Sequence, residues 1–131
     1  MGIGIVVKCN NCDAEIVFMH GIGALYSSLN VVLDNNILRK QKKAKVRKIL
    51  REFNPDSVDY EHNLYTCPKC ETLHERFYIN LSRNNKTLFE TEFRCGICRS
   101  KLMPANKSIS SYRCGECGQH DLERIEDFLW D

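Results

Sequence analysis

Eight cysteines fall as four Cys-x-x-Cys pairs, Cys9/Cys12, Cys67/Cys70, Cys95/Cys98 and Cys114/Cys117, and nothing else in the 131-residue chain restricts its fold so tightly. Disulfide frameworks usually space their cysteines unequally, whereas this repeated pairing suits a shared ion, so metal ligation is the expected use. A chain of this size buries little surface and gains from such cross-links. The segments beside the pairs are strand-like: "IGIVV" precedes Cys9, "AEIVF" follows Cys12, "TLHERFYINL" follows Cys70 and "TLFETEF" leads into Cys95. Each pair is therefore expected to form a tight knuckle at the end of a hairpin. Two facing knuckles would put four thiolates about 2.3 Å from a tetrahedral ion, and four knuckles make two such sites.

At these pairs the chain resembles zinc ribbons, the small rubredoxin-like β units found in transcription, translation and adaptor proteins. The residues that carry the likeness are "CNNC", "CPKC", "CGIC" and "CGECG". In the last, Gly118 can take the positive φ that often follows the second cysteine. Asp13, Glu71 and Arg99 occupy that place in the other three. The chain also looks like small bacterial proteins built from two zinc ribbons. That resemblance implies two Zn²⁺ per chain and no particular partner. Tetrahedral sulfur ligation also suits iron, which leaves a rubredoxin-like redox protein as an alternative.

Spacing favours one pairing of the knuckles without closing the question. Cys95 and Cys98 with Cys114 and Cys117 would enclose 15 residues, leaving Cys9 and Cys12 to take Cys67 and Cys70 across 54. The competing scheme joins Cys67 and Cys70 to Cys95 and Cys98 across 24 residues, and the first pair to the last. Loop-closure entropy disfavours that very long closure only logarithmically. The first scheme predicts an α+β, β-rich double zinc ribbon with a helical insertion in its first ribbon. Residues 1–82 would form that ribbon, with helical sequence over about 24–53, and residues 83–131 the second ribbon with an acidic C-terminal tail. "LSRNNK" marks the turn of a hairpin shared between them. Leu122, Ile125 and Leu129 fit a helix, although ribbon geometry favours a strand after Gly118.

Within the insertion, Gly21-Ile22-Gly23 lacks the third glycine and the Gly-Lys-Ser/Thr ending of a phosphate loop, and reads as a strand-to-helix turn. Ala24 to Leu33 can then start a helix that Asp34-Asn35-Asn36 breaks. From Asn36 to Phe53 the chain carries eight Lys or Arg and one acid, and Asn54-Pro55 stops it. At about 100° per residue Leu38, Val46, Ile49, Leu50 and Phe53 gather on one side, with Lys40, Lys43, Arg47, Lys48 and Arg51 on the other. Such a cationic face attracts nucleic-acid phosphates without reading sequence. Nucleic acid is slightly favoured as partner over an acidic protein or membrane surface, and the same face could instead dock internally on the tail "ECGQHDLERIEDFLWD", where six acids accompany one arginine.

Net charge does not separate a nucleic-acid binder from a protein adaptor. The formal value is +2; eight thiolates and two Zn²⁺ together subtract four, taking the loaded chain to about −2. His20, His62, His74 and His120 are spare where each site already has four cysteines. No hydrolase or deaminase pattern is present, and four strand-flanked pairs differ from a thioredoxin-like site, so no catalysis and no small-molecule substrate are expected. The sequence shows neither a signal peptide nor an apolar membrane span, and a cytoplasmic setting would keep the thiols reduced.

Overall fold

The computed structural model describes residues 2–22, 28–34 and 38–130. Among these residues seven strands form two antiparallel sheets. The first has the order β2-β1-β7, from Glu15–His20, Gly2–Cys9 and Leu122–Trp130. The second has the order β5-β4-β3-β6, from Lys86–Glu90, Leu73–Arg83, Ser57–Thr66 and the two residues Met103–Pro104. The described part of the crossover from β2 to β3 carries helices α1 at Leu29–Asp34 and α2 at Lys40–Glu52. Among the described residues no helix is long and apolar enough to cross a membrane. The expected helix start at Ala24 and the break at Asn35-Asn36 lie outside those residues, as does Gly23.

Alternation along β4 creates the larger core. Phe77, Ile79 and Leu81 point to one face, where they meet Phe89 of β5 and a cover made by Leu29, Val32 and Leu33 of α1, Leu38, and Val46 and Ile49 of α2. Each such side chain contributes on the order of 1.5–3 kcal/mol when buried. The helical excursion thus roofs the four-stranded sheet. Its apolar stripe matches the expected one except at Phe53, which is 50% exposed at the helix end. The helix stops at Asn54, whose φ of +44° starts a left-handed exit before Pro55. The β4–β5 turn falls where "LSRNNK" places it: Arg83 pairs with Lys86, and Asn84 and Asn85 both take positive φ, as a two-residue hairpin loop requires.

The three-stranded sheet rests on the pairing of the first strand with the last, from Gly2 opposite Trp130 to Cys9 opposite Leu122. The segment after Gly118 is therefore a strand and not a helix. A Cβ on Gly2 would stand 2.2 Å from the Trp130 ring, and one on Gly4 2.2 Å from that of Phe128, so both aromatic rings lie across bare backbone. The strand ladders do not follow a division into 1–82 and 83–131. That boundary falls inside the β4–β5 hairpin, and β1 and β7 come from opposite sides of it.

The sheets meet at a seam around His62. Its amide and carbonyl exchange hydrogen bonds with those of Gly21 at 2.8 and 2.9 Å, while the Met19 amide donates to the Glu75 carboxylate. The imidazole stands edge-on to Phe77 at 5.0 Å and to Trp130 at 5.5 Å. Burial lowers the pKa of His62 and the Glu75 carboxylate opposes the shift, leaving it below 6.5. A folded-state pKa below the unfolded one means that this contribution to stability is intact above about 6.5 and is lost as pH falls through the folded value. His62→Gln is expected to flatten the acid side of stability against pH relative to the parent protein, measured as the urea midpoint over that range.

Candidate metal centres

Each Cys-x-x-Cys pair opens the same backbone turn. The amide of the residue after the second cysteine donates to the carbonyl of the first: Asp13 to Cys9 at 2.9 Å, Glu71 to Cys67 at 2.8 Å, Arg99 to Cys95 at 3.0 Å and Gly118 to Cys114 at 2.9 Å. The amide of the first cysteine then donates to the carbonyl five residues on, at Ala14, Thr72, Ser100 and Gln119. Closing this ring requires left-handed backbone, and the four residues have φ of +61°, +60°, +64° and +77°. Asp13, Glu71 and Arg99 thus do what the glycine does in the fourth knuckle, at a conformational cost of about 1–2 kcal/mol each. The first cysteine of every pair is fully or almost fully buried.

The knuckles combine into two tetrads. Cys9, Cys12, Cys114 and Cys117 form the outer one, and Cys67, Cys70, Cys95 and Cys98 the inner one, with all sulfurs of a tetrad within 4.8 Å of one another. This corrects the pairing that spacing favours: Cys9 and Cys12 do not join Cys67 and Cys70, and the last pair closes the first site. The physical reason is the β1–β7 ladder, which carries the knuckle after β1 to the knuckle before β7. Against the shorter closures the nested arrangement costs only about 1 kcal/mol more in loop entropy, less than a strand pairing with its buried side chains supplies.

The sulfur spacing fits a tetrahedral ion. Cys9 to Cys117 and Cys12 to Cys114 are each 3.6 Å, and the inner tetrad has edges of 3.3, 3.6 and 3.9 Å. A tetrahedron with sulfur at about 2.3 Å from its centre has edges of about 3.8 Å, whereas a disulfide would need about 2.05 Å. All eight cysteines are free thiols. Both groups of four cysteines can therefore hold a metal ion. Backbone amides face the sulfurs as well, Cys70 to Cys67 Sγ at 3.3 Å and Glu116 to Cys114 Sγ at 3.4 Å.

Crowding separates the thiols electrostatically. The contact with Cys98, then that with Cys67 and desolvation, push Cys70 up to about 12. The contact with the Ser100 hydroxyl, 3.3 Å from Cys98 Sγ, and then the Ser100 backbone hold Cys98 down to about 6. The Asn11 side chain does the same for Cys117, also to about 6. Four thiolates this close need a cation among them, so loading a site releases protons and acid reverses it. Ser100 and Asn11 are residues that sequence spacing does not reveal, although Ser100 is visible as the polar neighbour in "CRS".

The histidines lie outside the tetrads. His74 Nε2 is 2.8 Å from Thr72 Oγ1, and His120 lies 3.4 Å from the Glu71 carboxylate and 3.2 Å from the Ser111 carbonyl. With the Arg113 amide donating to the Glu71 carbonyl at 2.8 Å, Glu71 ties the inner site to the start of the knuckle that completes the outer one. Of the cationic residues expected to meet a partner, Lys40, Arg47, Lys48 and Arg51 are exposed and Lys43 is half-buried. Arg47 pairs with Asp34 at 2.7 Å.

No protein-family model, curated protein or solved structure matches the chain. The geometry itself predicts that Cys9→Ser and Cys114→Ser release the same ion, and Cys67→Ser and Cys95→Ser the other, each variant retaining about half of the bound metal. Metal analysis after gel filtration reads this directly, and joint loss of metal from Cys9→Ser and Cys67→Ser with the other site loaded would restore the pairing that spacing favours.

Proposed function

We propose that the chain is a non-catalytic zinc-binding module, with two structural Zn²⁺ ions, that binds nucleic acid through the cationic face of α2. Four soft sulfur ligands fill each tetrahedral sphere and leave no position for a substrate, which supports a structural role for zinc. The observation that carries the nucleic-acid reading is the orientation of α2: Val46 and Ile49 are buried on the four-stranded sheet, while Lys40, Arg47, Lys48 and Arg51 are exposed. The acidic tail is engaged elsewhere. It forms β7 of the other sheet, with Asp127 held by Arg124 at 2.6 Å and Glu123 by Asn10 at 3.0 Å.

One observation favours a second reading, a protein adaptor with the same structural sites. β7 is an edge strand that carries exposed Ile125 and Leu129, and an unpaired edge of this kind accepts a strand from another protein.

Changing Lys40, Lys43, Arg47 and Arg51 together to Gln separates the two. The parent protein is expected to bind nucleic acid with affinity that falls steeply with salt. The variant should keep both metal ions and its far-UV dichroism, because loss of the exposed Arg47–Asp34 pair costs at most about 1 kcal/mol. Its salt slope should be shallower by about 3. Absence of binding by either protein in moderate salt would leave the adaptor reading.

A further inference from the structure

A second cationic feature lies beside the inner metal site. Between the start of α2 and the third knuckle is a cleft of about 650 Å³, within the range of formed ligand sites. Arg39, Lys42, Arg76, Arg94 and Arg99 line it together with Phe93. Its one acid, Glu92, is engaged by Lys101 at 3.4 Å. Among the described residues none of the five cations has a carboxylate partner. Arg76 donates to the Glu75 carbonyl at 2.7 Å and Arg94 to the Arg99 carbonyl at 3.5 Å. Concentrating five positive charges around one concavity opposes folding by self-repulsion and raises the local concentration of anions.

The walls narrow the kind of anion. Lys42 of α2 lies over the ring of Phe93 at 5.6 Å, and both line the cleft. The Phe93 ring is also braced edge-on by Tyr65 at 5.2 Å, so its position is fixed while the lysine above it is a flexible chain. Cations set around an aromatic ring in a groove are how proteins hold a single strand, phosphates on the cations and a base on the ring. A duplex keeps its bases stacked inside and offers such a cleft only its phosphates.

We propose that this cleft is the binding site for single-stranded nucleic acid, with the sugar–phosphate backbone on Arg39, Arg94 and Arg99 and one base on Phe93 after Lys42 swings from the ring to a phosphate. The assignment rests on the nucleic-acid reading of the chain, extends the contact from the face of α2 into this cleft and names the kind of strand that reading leaves open.

The test compares a single strand of ~12 nucleotides with the duplex of the same sequence, using the full metal-loaded chain. Single-strand binding should be tighter. In Arg39→Gln/Arg94→Gln it should weaken by roughly tenfold or more at low salt, with a slope shallower by about 1.4 for two lost phosphate contacts. Phe93→Leu, which keeps apolar volume against Tyr65, should weaken it by about fivefold or more with the slope unchanged. Two bound ions per chain establish that each variant is folded. The proposal is overturned if Arg39→Gln/Arg94→Gln binds like the parent while the four-residue change in α2 abolishes binding, which leaves the nucleic-acid reading standing. A duplex preference overturns the strand assignment. If the parent binds neither nucleic acid, both readings fall.

Discussion

Four sulfurs at the corners of a tetrahedron repel one another once ionised, and only a cation among them makes the arrangement favourable. Nearly every strand of this protein begins or ends at such a point. The first knuckle turns β1 into β2, the second turns β3 into β4, the third follows β5 and the fourth launches β7. The ladders and the tetrads therefore depend on each other: sheet pairing brings distant knuckles together, and an ion held by a tetrad would keep the strand ends in register. Among the described residues the apolar clusters are modest and separate, one under the helices and two around the sulfurs, and metal held by the tetrads would offset what a single large core otherwise provides.

Much of this could be read in the residues. The ligands, their knuckle geometry and the hairpin turn at Asn84-Asn85 follow from local chemistry that needs no tertiary partner. The apolar stripe of α2 was equally legible, because a 3.6-residue period reports which side of a helix is covered. What stayed hidden was long-range. Spacing weighs loop lengths but is blind to the β1–β7 ladder, whose trace in the sequence is faint: glycines at 2 and 4 where Trp130 and Phe128 lie across the backbone. The final strand was ambiguous for a related reason, since the ladder shifts register between Val6 and Val7 and strict alternation along β7 is broken. Arg39, Arg76, Arg94 and Arg99 become neighbours only when the sheet and the roof of helices are assembled.

The arrangement also separates charge between the two sheets. Acidic residues accumulate on the edge strand of the three-stranded sheet, and basic ones on the helix that covers the other sheet and around the inner tetrad. Averaged over the chain these nearly cancel, which is why net charge says so little here. Local fields, and not the total, decide which polymer approaches which face.

Nesting one site inside the other has a consequence for the growing chain. Cys70 and Cys95 are 25 residues apart and Cys12 and Cys114 are 102. At a synthesis rate of about 5–20 residues per second, the first thiol pair waits on the order of 5–20 s for its partner. For part of that interval the only two pairs that have emerged are Cys9/Cys12 and Cys67/Cys70, the two that the finished fold assigns to different ions. A nascent chain meeting metal in this window holds the components of the wrong tetrad before those of either right one, so an ion captured then would have to exchange ligands to reach the final pairing.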